Sequence, residues 1–279
     1  MDEATESLIT LALREDLGPS GDVTSAAVLG PAAGCAGRLA AREPIVLAGL
    51  EVARAVFARV DPGVRFQSHL QDGTAVEAGR AVAEISGSAR SVLAAERTAL
   101  NFLQRLCGVA TLTSRYVAKL AGTRCRLLDT RKTTPGWRAL EKAAVRAGGG
   151  HNHRMGLFDG VLIKDNHVAA AGGVRPAVEA ARRGAGALLK IELEVDTLEQ
   201  LREALGLGVE VVLLDNMKPD TLAAAVKLRE ELAPKTLLEA SGGVTLENLA
   251  AIAATGVDFV SSGALTHSAR AVDIGLDLD

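Results

Sequence analysis

Charged and hydrogen-bonding residues gather where short apolar runs end. The run from Cys125 closes on Asp129-Thr130-Arg131-Lys132-Thr133-Thr134-Pro135-Gly136, and the run from Gly160 closes on Lys164-Asp165-Asn166-His167. A third carries Glu192 and Glu194, and a fourth ends in Asp215-Asn216. A fifth ends in Glu239-Ala240-Ser241-Gly242-Gly243, and a sixth in Ser261-Ser262-Gly263. Arg131, Lys132, Arg154 and Lys164 come from separate segments, and with His153 they could line a mouth that attracts a polyanion. Arginine's planar fork grips carboxylates and phosphates bidentately, whereas lysine acts as a movable point charge. A ligand with adjacent carboxylates needs that mixture.

Glu194 and Asp215 end successive strands, so their carboxylates could face one cavity. Two acids there repel unless a cation or sugar hydroxyls lie between them, which implies magnesium with a ribose-type ligand. Glu192 lies on the same strand face as Glu194, and spacing does not choose between them. Ser241-Gly242-Gly243, read as preceding a helix that starts near Leu246, and Ser262-Gly263-Ala264 have the character of a phosphate cradle built from backbone amides. The pair His151 and His153 follows Gly148-Gly149-Gly150 and has the spacing of zinc ligands, but no cysteine or further H-x-x-H supports a metal. His153 beside Arg154 suits an anionic substrate better. Arg97, Asn101 and Gln104 share a helix face at i, i+4, i+7; such a stripe is either a solvated face or the rim of another subunit's site.

Positioning these groups requires elements that alternate. Strands are expected at Cys125–Asp129, Gly160–Lys164, Leu188–Val195, Val209–Asp215, Thr236–Glu239 and Val257–Ser261. Helices are expected between most of them, at Pro176–Arg183, Leu198–Leu205, Asp220–Leu232 and Leu246–Thr255. That alternation means a parallel sheet with its ligand beyond the C-terminal strand ends, and it suggests an α/β barrel. The first hundred or so residues mix short elements: helices at Ser7–Asp16 and Leu50–Arg59, an apolar run at Arg38–Leu47, then strand and turn signals through Gly87. They read as a small α+β domain. A long Ala- and Leu-rich helical stretch begins at Ser91, with an expected break near Gly108, and resumes to about Leu120.

The chain of 279 residues is 48% hydrophobic, 23% charged and only 3% aromatic, a globular balance whose core Ala, Val and Leu must build. A net charge of −3 and a pI near 6.0 argue against a nucleic-acid-coating protein. The acidic N-terminus is unlike a signal peptide, and no apolar run is long enough for a membrane span, so a cytoplasmic protein is expected. Cys35, Cys107 and Cys125 read as reduced core thiols.

In this order the motifs resemble the quinolinate phosphoribosyltransferase (nicotinate-nucleotide pyrophosphorylase) family of NAD biosynthesis. The matching stretches are Glu96–Asn101, Asp129–Thr133, Gly148–Arg154, Leu162–His167, Glu192–Val195, Leu213–Asn216, Glu239–Gly243 and Gly263–Ser268. The resemblance implies an N-terminal α/β sandwich domain (1–106) followed by an incomplete α/β, TIM-like barrel (107–269), with the tail 270–279 packed back on the first domain. It implies a homodimer or hexamer, the substrates quinolinate and phosphoribosyl pyrophosphate, and Mg2+. Thr130, Arg131, Lys132, His153, Arg154 and Lys164 would then serve quinolinate, joined by Arg97 from the neighbouring subunit. Glu194 and Asp215 would hold the ribose hydroxyls and magnesium, with Lys132 and Lys164 also at the reacting groups. The 5′-phosphate would lie in Ser241, Gly242 and Gly243 and in Ser262, Gly263 and Ala264, near His267. Ser262 departs from the aliphatic residue expected before Gly263, and its backbone amide could still donate. Rival readings are a phosphoribosyltransferase for a related carboxylate, including a relative serving molybdenum metabolism, a non-catalytic phosphate-ligand binder, and a zinc-dependent barrel hydrolase using His151 and His153.

Overall fold

A computed structural model describes residues Met1–Asp279. In chain order its elements are α1 (Glu3–Leu17), α2 (Val23–Val28), β1 (Gly34–Ala41), β2 (Ile45–Val46), α3 (Leu50–Val60), β3 (Arg65–Gln67), β4 (Ala75–Val76), β5 (Ala81–Ser88) and α4 (Ala89–Lys119). There follow β6 (Arg126–Leu128), α5 (Arg138–Ala147), β7 (Val161–Ile163), α6 (Asp165–Ala171), α7 (Val174–Gly184), β8 (Ile191–Val195), α8 (Leu198–Gly206) and β9 (Val211–Asp215). The last are α9 (Pro219–Leu232), β10 (Leu237–Ser241), α10 (Leu249–Ala253), β11 (Phe259–Ser261), α11 (Ala264–His267) and β12 (Ile274–Leu278). The chain divides into two compact units. One comprises Met1–Ser114, Thr133–Gly149 and Leu265–Asp279, the other Arg115–Lys132 and Gly150–Ala264.

The first unit is built on an antiparallel sheet of order β12-β1-β5-β3. Its edge strand β12 comes from the C-terminal tail and pairs Ala41 with Ile274 through Gly37 with Leu278. Asp2 caps α1 by accepting from the Thr5 amide (2.8 Å), and Thr5, Ile9 and Leu13 form the buried stripe of that helix.

The break expected near Gly108 is absent: α4 runs without interruption. Glycine is required there by space and not by a change of direction, because a Cβ at 108 would lie 1.9 Å from the Arg270 carbonyl oxygen. The polar stripe on α4 is also shorter than its spacing implied. Arg97 and Asn101 are exposed, whereas the Gln104 amide donates to the Ile274 carbonyl (2.8 Å) and is spent on the fold. The helix α5 buries Glu141 and Lys142 together with Leu140, Ala144 and Val145. Arg105 (2.8 Å), the Thr134 amide (3.0 Å) and the Thr134 hydroxyl (2.9 Å) all donate to the Glu141 carboxylate.

The second unit is a six-stranded parallel sheet of order β6-β11-β10-β9-β8-β7, with its edge strands β6 and β7 not paired to each other. This is the incomplete α/β barrel. The strands are short and the central ones heavily buried, with Leu193, Val212, Leu214, Leu238 and Val260 fully enclosed, as parallel strands covered on both faces must be. Two of the strand-to-helix connections differ from expectation. The helix after β10 begins at Leu249 rather than near Leu246, and α10 and α11 span only five and four residues. Helix dipoles therefore contribute little beside the glycine loops, and any anion there would depend on loop amides.

Candidate active site

Parallel register decides which strand-end residues share a face. Glu194 stands opposite Leu213, which stands opposite Glu239, while Asp215 stands opposite Ser241 one pleat further along. With alternate residues pointing the same way, Glu192, Glu194, Asp215, Glu239 and Ser241 all project from one face of the sheet.

The basic groups converge on that mouth in the second unit. Lys164, just beyond β7, places its Nζ 2.9 Å from Glu194 Oε2; the lysine is half exposed and the carboxylate largely enclosed. Arg154 is half-buried and its Nη1 donates to the Gly160 carbonyl (3.1 Å). Burial lowers its proton affinity below the usual arginine value, and the neighbouring Arg131 charge lowers it further. Two guanidinium groups held close enough to repel form a ready-made site for a multiply charged anion. Thr130 is half-buried, its hydroxyl accepting from the Lys132 amide (3.0 Å), and the Arg131 and Lys132 side chains are exposed.

The loop carrying His153 is fixed from beneath. Asp129 is fully enclosed (0% exposed) and accepts from Asn152 Nδ2 (2.6 Å) and from the His153 amide (2.9 Å). The segment also forms a parallel bridge between His151 and Leu128 at the edge of the sheet. The His153 ring lies between Glu192 (3.0 Å) and Glu239 (3.7 Å), which are 9% and 1% exposed. One oxygen of each carboxylate has no hydrogen-bond partner.

His153, Glu192 and Glu239 offer ligand atoms within 4.8 Å of one another, but the ring is not set up to coordinate. Its Nδ1 accepts from the Arg154 peptide N–H (2.7 Å), so the ring proton resides on Nε2, the nitrogen facing the carboxylates. His151 is exposed. In the sequence Asp129, Glu192 and Glu239 stand out only as strand-end acids. What was missing is their enclosure, which spacing does not report.

Burial, and then the charge of Glu192, raise the Glu239 carboxyl to about 8. Between the ordinary carboxyl range near 4.5 and pH 8 the folded chain therefore holds a proton that the unfolded chain releases, so this residue costs stability progressively as pH rises through that window. Glu239→Gln, neutral at every pH, should flatten the decline. Denaturant unfolding near pH 4.5 should find parent and variant similar, and the variant should become increasingly the more stable as pH rises to 9. Equal slopes for both would place the acid outside this linkage.

At the other end of the mouth, Asp215 Oδ2 accepts from Asn216 Nδ2 (2.7 Å). Asn216 is the chain's one non-glycine residue with positive φ (52°), and its amide donates to the Ser241 carbonyl (2.8 Å). A non-glycine in this region stores strain, which accumulates at functional sites. Gly242 cannot be replaced beside it: its φ is +90°, and a Cβ would lie 2.2 Å from Asn216 Oδ1. The Ser261 hydroxyl donates to the Ser241 hydroxyl (3.0 Å) and joins the two glycine loops. Ser262 belongs to the scaffold. Its amide donates to the Leu128 carbonyl (3.1 Å) and its hydroxyl to the Val244 carbonyl (3.2 Å), which leaves Gly263 and Ala264 to present the loop's inner edge. His267, on α11 in the first unit, is exposed, with Nδ1 2.7 Å from the Ser268 hydroxyl. Arg97, also in the first unit, is exposed on α4.

An open α/β barrel with a basic mouth, strand-end carboxylates and paired glycine loops defines a phosphoribosyltransferase of the barrel type. Residues 22–107 match the quinolinate phosphoribosyl transferase N-terminal domain and residues 109–277 the C-terminal domain of the same family. The chain belongs to the quinolinate phosphoribosyltransferase family. It is 46% identical over 278 residues to the nicotinate-nucleotide pyrophosphorylase (carboxylating) of Mycobacterium leprae, covering 99% of this chain and 98% of that protein. It is 40% identical to a mitochondrial quinolinate phosphoribosyltransferase (decarboxylating) of Nicotiana tabacum, covering 98% of this chain and 82% of the relative. The crystal structure of nicotinate-nucleotide pyrophosphorylase from Ehrlichia chaffeensis superposes with a TM-score of 0.93 over the full length of both chains at 36% identity. No helix of the chain is long and apolar enough to cross a membrane.

Proposed function

We infer that the protein transfers the phosphoribosyl group of phosphoribosyl pyrophosphate to quinolinate with loss of carbon dioxide, giving nicotinate mononucleotide and diphosphate for NAD biosynthesis. The observation that carries this reading is the half-buried Arg154 held against the like charge of Arg131, with Lys164 at the neighbouring strand end. Adjacent carboxylates on one pyridine ring neutralise that cluster. Arg131 and Arg154 grip the dicarboxylate, with Thr130 and Lys132 completing the loop around it, and Lys164 stands between the pyridine and the ribose.

Glu194 and Asp215 serve the ribose end. They are hard oxygen donors on one face of adjacent strands, and such donors fit Mg2+. When bound, Mg2+ would neutralise charge on the departing diphosphate. The pyridine nitrogen attacks ribose C1 as the C1–oxygen bond to diphosphate breaks, and the two carboxylates stabilise the positive charge that develops on the sugar. As carbon dioxide leaves, the electron pair of the C2–carboxylate bond stays on C2, where the adjacent cationic ring nitrogen stabilises it by its charge, and C2 is then protonated. No covalent nucleophile is needed; the side chains orient and neutralise. The loops Ser241–Gly243 and Gly263–Ala264 receive the 5′-phosphate, with Ser262 bracing them and His267 close by in sequence. The active assembly is a homodimer or a hexamer, with Arg97 donated across the interface, and the protein works in the cytoplasm.

Incubation with quinolinate, phosphoribosyl pyrophosphate and Mg2+ should yield nicotinate mononucleotide and carbon dioxide. Turnover of nicotinate with none of quinolinate would overturn the assignment. Glu194→Gln and Asp215→Asn should impair turnover and the use of phosphoribosyl pyrophosphate far more than equilibrium binding of quinolinate. Unchanged kinetics in both would make these acids structural.

A further inference from the structure

We propose that Glu192 is a positioning residue for the quinolinate end of the site and that it acts through His153. Its carboxylate fixes the imidazole as the Nε2–H tautomer, and the bare Nδ1 then holds the backbone of Arg154. The proposal deepens the quinolinate reading and rests on it for the ligand.

The tautomer follows from a donor that has no alternative. A peptide N–H can only donate, and the Arg154 N–H lies 2.7 Å from His153 Nδ1, so Nδ1 presents its lone pair. The single proton of the neutral ring is then on Nε2, 3.0 Å from Glu192 Oε2. Protonating Nδ1 as well would set two N–H groups against each other. Glu192 is 9% exposed. A desolvated carboxylate in that condition holds the imidazole N–H tightly.

The charged and polar groups around the ring come from four segments. Glu192 lies on β8 and Glu239 on β10, with Glu239 Oε2 3.7 Å from Nε2. The Arg154 amide follows in the loop, and Asp129 at the end of β6 takes the His153 amide (2.9 Å). Side chain and main chain of His153 are thus pinned from opposite sides. The chain leaves toward Arg154 in one direction, and Arg154 Nη1 is steadied by the Gly160 carbonyl (3.1 Å). His153 therefore supplies geometry to Arg154.

Two measurements test this. In protein labelled with 15N at histidine, the His153 ring, assigned by its loss in His153→Asn, should show a protonated Nε2 and an unprotonated Nδ1. It should keep that pattern when quinolinate is added. Glu192→Leu should mix the tautomers and raise KM for quinolinate at least tenfold, with KM for phosphoribosyl pyrophosphate within twofold of the parent. Glu192→Gln, which retains an acceptor oxygen of the same reach, should stay within threefold for both. An Nδ1–H ring in the free protein, a ring that changes tautomer on quinolinate binding, or equal impairment of the Gln and Leu variants would overturn the proposal. Should Glu192→Leu not fold, Glu192→Ala, which also removes the acceptor, makes the same comparison with the Gln variant. If the parent binds no quinolinate, the functional reading fails, while comparison of the free-protein tautomer between parent and Glu192→Leu still confirms or refutes the role of Glu192.

Discussion

Arg154→Ala should weaken quinolinate binding by roughly ten- to a hundredfold, the worth of a charge-assisted contact of about 1.5–3 kcal/mol made by a desolvated cation. Truncation also relieves the repulsion with Arg131 that lowers the proton affinity of Arg154 in the free protein. The affinity lost is therefore accompanied by some gain in stability. Lys164→Ala should match that loss of quinolinate affinity and add a second defect. Its Nζ pairs with Glu194, which is largely enclosed, so removing the lysine leaves a carboxylate with less compensation in a poorly solvated position. Use of phosphoribosyl pyrophosphate should suffer in Lys164→Ala and not in Arg154→Ala. Direct calorimetric binding of quinolinate, followed by separate KM values for the two substrates, makes the comparison. Parental affinity in both variants would mean that the cluster serves some other anion.

The largest expected effect concerns Arg97. It is exposed on α4, and the shared-site reading sends it to a neighbouring subunit. Arg97→Ala and Lys164→Ala should each be nearly inactive alone. In a mixed dimer one site combines both lesions, while the other receives a native Arg97 from one chain and a native Lys164 from its partner. Activity should reappear on subunit exchange and approach half the parental value per mixed dimer. If verified exchange restores nothing, Arg97 acts within its own chain or serves only the fold.

Much of the barrel was legible because a buried parallel strand must be an apolar run and a polar residue must end it. Leu213-Leu214-Asp215 and Ile191–Val195 announce themselves in this way. The helices α5 and α6 were not legible. The inward side of α5 mixes Glu141 and Lys142 with Leu140, Ala144 and Val145, and α6 has no buried residue, so neither shows a wholly apolar stripe. Gly108 misled for a different reason. Glycine favours a break by propensity, yet here it admits the Arg270 carbonyl beside an unbroken helix, and that neighbour lies far along the chain.

The sequence by itself determined the kinds of chemistry present, the order in which they come and the strand ends that carry them, since residue type and hydrophobic period are local properties. Tertiary structure decided how those groups are used. Register put Glu192, Glu194, Asp215 and Glu239 on one face, and enclosure kept Glu239 protonated into the alkaline range. A peptide N–H on one side and the Glu192 carboxylate on the other held the tautomer of His153, and a bond to Leu128 drew the Ser262 amide into the scaffold. Each of these depends on distance and solvent exclusion between residues remote in sequence, and neither quantity exists until the chain has folded.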